Sequence, residues 1–156
     1  MHKVKLAESP LCTFCNNETE TLEHLFVECS DVMNIWQEVI TNLLQPFGIT
    51  NLNKHDIILG IITSDQQNAI INHIILETKY YIYVCKLEKC LPLFNRLKNR
   101  LKITENIEKQ IAIKSNKISK HTYKWHHITN YLLEYSQVTC VSPIKLLSVW
   151  RLFFSI

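Results

Sequence analysis

Apolar residues recur at helical spacing soon after the start of the chain. Asp31 is the expected N-cap of a first helix over about residues 31–45. Seven apolar residues after it fall at i, i+3, i+4, i+7, i+8, i+11 and i+12, which is one broad helical stripe. They are Val32, Ile35, Trp36, Val39, Ile40, Leu43 and Leu44. Pro46 and Gly48 end this predicted helix.

Two longer helical segments follow a connector at residues 49–64. In the connector, the apolar run Asp56–Ile62 is too short for its periodicity to distinguish a strand from a helical turn. No Gly or Pro occurs from Asp65 to Cys90, and one helix is predicted there. A further helix is expected from Pro92 to Asn116. Its expected inward residues are Leu93, Phe94, Leu97, Leu101, Ile107 and Ile111, and its expected outward residues are Lys98, Lys102, Glu105 and Lys109.

Composition narrows the possible classes of protein. Hydrophobic residues make up 47% of the 156 residues, which excludes a wholly disordered chain. Only two glycines occur, so sandwiches and barrels with many tight turns are disfavoured. The sequence shows neither an apolar run of membrane-spanning length nor a secretory signal, so we expect an intracellular protein, cytoplasmic or nuclear, without a membrane partner. Thiols stay reduced there, and clustered cysteines then favour a metal over disulfides.

The strongest chemical signal is a cluster of metal-ligating residue types near the N-terminus. Cys12, Cys15, His24 and Cys29 form the pattern C-x2-C-x8-H-x4-C. Thiolate and imidazole at such spacing are typical of one tetrahedral zinc ion, and a shell filled by protein makes the ion structural. Metal binding supplies about 10–16 kcal/mol, which a short knuckle cannot obtain from its own core. The alternative is a set of ordinary buried thiols with a surface histidine.

The two halves of the chain carry opposite charge. Residues 1–62 have a net charge of −5 and residues 63–156 a net charge of +8. A basic surface beside aromatic rings suits nucleic acid, because it attracts phosphates and stacks on unpaired bases. The candidate nucleic-acid contacts are Arg96, Lys98, Arg100, Lys102, Lys114, Lys117, Lys120, Lys124 and Trp125, and Tyr123, His126 and His127 lie beside them. The alternative is a solvated helix face with Trp125 packed in the core.

The segment SPLCTFCNNETETLEHLFVECSDVMNIW resembles the zinc-binding segment that follows the polymerase domain in LINE-type, non-LTR retrotransposon reverse transcriptases. The resemblance extends over about residues 9–128 through DIILG, TKYYIYVCKLE, Pro92 and the pair Lys124-Trp125. It implies a detached C-terminal part of such a polyprotein that helps to hold template RNA or target. RNA is accordingly favoured over DNA, and the remainder of the polyprotein is a further expected partner.

The chain departs from this family in its catalytic residues. Polymerases of the family need paired aspartates, whereas this sequence has only Asp31, Asp56 and Asp65, all scattered. No motif of the family's endonuclease is present either. We therefore expect no enzymatic activity.

The expected fold is mainly α, a small zinc knuckle followed by amphipathic helices with little or no sheet. The expected divisions are a knuckle with its packing helix (9–48), a basic helical region (56–128) and a tail (129–156) that is either a final helix or sequence foreign to the domain. The expected function is nucleic-acid binding. The alternatives are a docking module for a polymerase, which an exposed apolar patch along Ile70–Ile82 would favour, and a remnant without function.

Overall fold

The computed structural model describes residues 10–61 and 68–133. Over these residues the fold is mainly α, as predicted, and the only β pairing is an isolated antiparallel bridge between Leu11 and Thr19. The helical elements are a π-helical turn His24–Glu28, α1 (Ser30–Val39), a π-helical turn Ile40–Leu44, a 3-10 turn Gln45–Phe47, α2 (Lys54–Leu59), α3 (Asn68–Glu88), α4 (Phe94–Lys114) and α5 (Ile118–Leu133). The predicted helix start at Asp65 and the tail from residue 134 lie outside the described residues.

Helix α1 and the turns after it bury the apolar stripe that the sequence predicts. Six of its seven residues are at most 4% exposed, and Ile40 is half-buried. Trp36 also donates its Nε1–H to the Phe26 carbonyl over 2.7 Å, which fixes the helix against the π-helical turn before it. The predicted cap is wrong by two residues. Cys29 is the N-cap, and Asp31 lies in the first turn, where a carboxylate still favours the helix dipole.

The undecided run in the connector forms the short helix α2. Asn53 and Asp56 cap its start reciprocally, each side chain accepting the other residue's backbone N–H at 3.0 Å. At its end, Asn72 of α3 bonds both the N–H and the carbonyl of Ile61. Gly60 makes this approach possible, because its φ is +86° and a Cβ there would lie 2.8 Å from the Asn72 Oδ1.

Helices α3, α4 and α5 pack as successive antiparallel neighbours. Near the start of α4, the N–H of Leu93 donates to the hydroxyl of Tyr81, and Arg100 lies 3.6 Å from Glu77 further along. Two contacts show that α4 and α5 are antiparallel, because the residue nearer the start of α4 meets the residue nearer the end of α5. The Lys98 ammonium lies 3.9 Å from the Tyr131 ring centroid, and Lys124 bonds Glu108. The basic region is therefore an up-down-up arrangement of three helices.

The predicted faces of α4 are correct for only part of the helix. Phe94, Leu97 and Leu101 are buried as expected. The other three expected inward residues, Leu93, Ile107 and Ile111, are more than half exposed, whereas Lys98 and Glu105 are buried. The cause is helix α5, which presents polar groups to α4. His121 meets Glu105, and Lys124 and Trp125 meet Glu108, so this interface selects carboxylates rather than isoleucines.

Two helix boundaries also differ from expectation. Helix α4 begins at Phe94 with Leu93 as its N-cap, so Pro92 precedes the helix instead of lying in its first turn. Helix α5 runs to Leu133, past residue 128, where the sequence places the start of the tail. Among the described residues, no helix combines the length and the apolar character that a membrane crossing requires.

Candidate metal centre

The first two candidate ligands lie on a tight backbone turn. The N–H of Asn16 donates to the Cys12 carbonyl over 3.0 Å, and the N–H of Cys12 donates to the Glu18 carbonyl over 2.8 Å. Asn16 follows Cys15 with a φ of +54°, a left-handed conformation that asparagine tolerates better than most residues. The two-residue spacer and this reversal bring the side chains of Cys12 and Cys15 to the same side of the turn.

The other two ligands come from the two ends of the π-helical turn. His24 begins the turn, and its N–H donates to the Thr21 hydroxyl over 3.0 Å. Cys29 follows the turn directly, and its N–H donates to the His24 carbonyl over 2.9 Å. This i→i+5 bond joins two residues five apart, which an α-helical i→i+4 bond would not do. Cys29 then serves as the N-cap of α1, so the metal centre and the helical core share this residue.

The four donor atoms are placed as a tetrahedral zinc site requires. The Sγ atoms of Cys12 and Cys29 are 3.8 Å apart, the Sγ of Cys15 is 3.4 Å from the Nε2 of His24, and all four lie within 4.8 Å of one another. With Zn–S bonds of about 2.3 Å and Zn–N bonds of about 2.0 Å, tetrahedral S···S edges are about 3.8 Å and S···N edges about 3.5 Å. The three sulfurs and one imidazole therefore fit one zinc ion.

Burial and hydrogen bonding also suit a bound cation. Cys12 and Cys29 are fully buried, and all three cysteines are free thiols. Backbone N–H groups of Asn17 and Glu18 point at the Cys15 sulfur and lower its pKa to about 6, whereas burial raises the pKa of Cys29 to about 12. A buried thiol of that kind becomes a thiolate when a metal replaces its proton.

A charged contact attaches the knuckle to helix α3. Glu20 accepts hydrogen bonds from the N–H and the hydroxyl of Thr13, and it forms a half-buried ion pair with Lys86. Burial alone would raise the pKa of Glu20, but Lys86 and Thr13 outweigh burial and lower it. The metal centre therefore lies beside the C-terminal end of α3.

Comparison with known families agrees with this geometry. Residues 1–36 match the family described as zinc-binding in reverse transcriptase. The match contains all four candidate ligands and ends at Trp36, so this part of the chain is similar to a reverse transcriptase zinc-binding segment. No curated protein and no solved structure matches the chain.

Beyond this zinc-binding segment, the predicted nucleic-acid contacts fall into two groups. Four are exposed: Arg96, Lys114, Lys117 and Lys120. None of these four forms an ion pair with another of the described residues. Three of them surround the turn between α4 and α5, and we name Lys114, Lys117 and Lys120 the basic turn.

The remaining candidates have partners inside the protein. Lys98 is buried under the Tyr131 ring, and Lys102 is half-buried. Arg100 lies beside Glu77 and the Tyr80 ring, with its guanidinium 4.9 Å from that ring's centroid. Lys124 donates to both oxygens of Glu108 at 2.8 Å.

Trp125 is fully buried, and its Nε1–H donates to Glu108 over 2.7 Å. Its prediction as a base-stacking residue is therefore wrong, because the ring is a core contact of α5. The exposed aromatic ring of this helix is that of Tyr123, two residues earlier and 52% exposed. The helical period separates the two rings, since residues two apart lie on different faces of a helix.

The structure also decides where exposed apolar surface lies. Ile70, Ile74 and Ile82 are at most 2% exposed, so these isoleucines belong to the core and do not form the exposed patch that would favour docking. Isoleucines are exposed instead on the outer face of α4, at spacing four. They are Ile103, Ile107 and Ile111, at 44%, 54% and 59% exposure.

Proposed function

We propose that this chain is a zinc-stabilised, nucleic-acid-binding accessory segment of a LINE-type, non-LTR reverse transcriptase. The match of residues 1–36 and the donor geometry support the zinc part of this proposal. In it, Zn²⁺ has a structural role, RNA is preferred to DNA, the protein is intracellular, and the segment contributes no catalytic carboxylates. The chain's three scattered aspartates accord with the last of these points.

The basic turn is the observation that carries the nucleic-acid part. Residues 109–133 contain five lysines and no acidic residue, and within the described part of the chain Lys124 is the one lysine of the five that forms an ion pair, with Glu108. The surface at the end of α4 therefore keeps an uncompensated positive charge. Phosphates bind such surfaces by releasing counterions, without reading sequence.

The backbone holds this charge in a defined place. Asn116 lies two residues after the end of helix α4 and has a φ of +55°. The N–H of Lys117 donates back to the Ala112 carbonyl over 2.7 Å, and the N–H of Asn116 donates to that of Ile113 over 3.2 Å. These two bonds form a Schellman-type end, so the lysines project from an ordered turn rather than from a loose loop.

The metal centre is remote from the basic turn. The knuckle contacts Lys86 near the junction of α3 and α4, whereas the basic turn is at the other end of α4. A helix of 21 residues is about 30 Å long. The zinc ion therefore supports the fold in this proposal, and the lysines contact the phosphates.

The test measures binding of the full chain to a single-stranded RNA of about 12 nucleotides, by fluorescence anisotropy at several salt concentrations. Three phosphate contacts give a slope of about −2 in log K against log salt, and Lys117→Gln lowers its magnitude by about 0.7. The matched control is Lys89→Gln, which removes an exposed charge at the far end of α4. A slope near zero, or equal effects of both variants, would contradict the proposal.

Docking onto a polymerase is a second candidate function, and the exposed isoleucines of α4 favour it. A contiguous apolar row on a charged helix is typical of an interaction face. The remainder of the reverse transcriptase polyprotein is the proposed occupant. Ile107→Glu should abolish binding of the chain to that polymerase region and leave RNA affinity unchanged; retention of binding would remove this candidate.

A further inference from the structure

We propose that the exposed face of α5 around Tyr123 is a stacking site for an unpaired nucleobase of the strand whose phosphates contact the basic turn. This inference rests on the proposed nucleic-acid binding and adds its ligand class, single-stranded rather than duplex nucleic acid. The residue that would carry it is Tyr123, in place of the Trp125 that the sequence suggested.

The aromatic surface is continuous along the helix. Tyr123 is 52% exposed, and its ring centroid is 5.9 Å from that of His126, at an interplanar angle of 36°. His126 is exposed and is held in place because its Nδ1 lies 2.7 Å from the Tyr123 carbonyl. A shallow open groove runs along this face between Ile118 and His126. A planar base can therefore approach the tyrosine ring without moving any helix.

The rings lie beside the basic turn. Lys120 precedes Tyr123 by three residues, which places the two side chains on neighbouring positions of one helix face. Lys117 lies one turn before Lys120. Single-strand binding sites combine two components, cations that hold the phosphates and an aromatic ring on which a base stacks.

Duplex nucleic acid does not fit this face equally well. In a duplex the bases are stacked on one another, so an exposed tyrosine on the outside of a helix reaches only backbone and groove edges. The ring would then contribute little, and the lysines alone would hold the strand. The proposed site thus predicts a preference for unpaired strands that depends on one side chain.

The experiment compares Tyr123→Ala with the full wild-type chain on single-stranded RNA of about 12 nucleotides. Affinity should fall by about 10-fold or more, because stacking of one base is worth that much, while the salt slope should stay unchanged. Tyr123→Phe and Tyr123→Trp keep an aromatic ring and should retain binding. Tyr83→Ala is the matched control, because it removes an exposed tyrosine ring of α3 that lies outside this groove.

A second probe separates bases from phosphates. An abasic strand of the same length keeps the phosphates, so Tyr123→Ala should bind it as well as the wild type does. A wild-type chain that binds RNA with the expected salt slope but is insensitive to Tyr123→Ala overturns the stacking site and leaves the proposed function intact. Equal losses for abasic and normal strands also overturn the stacking site. Absence of any RNA binding overturns both proposals.

Discussion

The backbone N–H of Cys29 donates to the carbonyl oxygen of His24 across 2.9 Å, so two candidate zinc ligands are joined by one hydrogen bond of a π-helical turn. Because Cys29 also caps helix α1, the metal centre is continuous with the main chain of the helical core. Loss of the ion is therefore expected to affect both the knuckle and the start of α1.

Substitution of Cys15 by serine tests the ligand assignment. Serine lacks the thiolate, so Cys15→Ser should reduce bound zinc from about one ion per chain to none and unfold residues 10–29. Metal analysis of the purified protein measures the first effect, and amide hydrogen exchange measures the second. The matched control is Cys90→Ser, which changes a half-buried cysteine outside the cluster. Equal zinc content in both variants would contradict the assignment.

The ion pair between Glu20 and Lys86 is predicted to hold the knuckle against α3. Both side chains are half-buried, so Glu20→Gln should lower the free energy of unfolding by about 1–3 kcal/mol in a urea titration. The double variant with Lys86→Met should lose less than the sum of the single losses, because the two groups interact directly. Strict additivity would show that the pair does not couple the knuckle to the bundle.

The buried position of Trp125 separates stability from binding. Trp125→Phe removes the indole N–H that Glu108 accepts, so the free energy of unfolding should fall by about 1–3 kcal/mol. RNA affinity should not change, since the ring has no exposed surface. A loss of affinity without a loss of stability would instead favour the original expectation that Trp125 stacks on bases.

The half-buried imidazole of His73 predicts a dependence of stability on pH. Burial, with a smaller effect of the Lys124 ammonium, lowers the pKa of His73 to about 4. The unfolded chain binds this proton near pH 6.5 and the folded chain does not. The contribution of His73 is thus fully present above about pH 6.5 and is lost as the pH falls towards 4. It amounts to about 1–2 kcal/mol between pH 7 and pH 5.

Several other charged groups surround this site and titrate as well. Glu108 faces His73 from α4. Its burial is outweighed by Lys124 and Trp125, so its pKa is lowered. The protein therefore also loses the stabilising contribution of Glu108 in acid, at a lower pH than that of His73. Burial raises the pKa of Glu77, on α3 itself, which acts in the opposite sense. Urea titrations of wild type and His73→Gln at pH 7 and 5 isolate the histidine, because zinc loss and both glutamates are common to the two proteins. If wild type and His73→Gln lose the same free energy of unfolding between pH 7 and pH 5, the prediction is contradicted.

Local signals in the sequence predict the first half of the fold well. The helical stripe from Val32 to Leu44 packs against an apolar part of the core, so periodicity alone predicts which of its residues are buried. The metal cluster was also predictable, since the Cys12–Cys15 spacer and the position of His24 are local features. The π-helical turn was not, because its i→i+5 bonding depends on how Cys29 is placed between the knuckle and α1.

The second half depends on contacts between residues far apart in sequence. The buried face of α4 carries Lys98, Glu105 and Glu108, which find their partners on α5, 16 or more residues later. A rule that places apolar residues inside therefore predicts Ile107 and Ile111 inward and Lys98 and Glu105 outward, against the structure. The same pairing explains why Trp125 is buried while Tyr123 is exposed, a distinction that adjacency to lysines in the sequence does not make.

X-ray absorption at the zinc edge of the purified full chain tests the central claim most directly. Coordination of one ion by Cys12, Cys15, His24 and Cys29 predicts three sulfur neighbours at about 2.3 Å and one nitrogen at about 2.0 Å, with no further ligand. A shell composed only of nitrogen and oxygen, or protein that purifies without zinc and does not acquire it, would contradict the account.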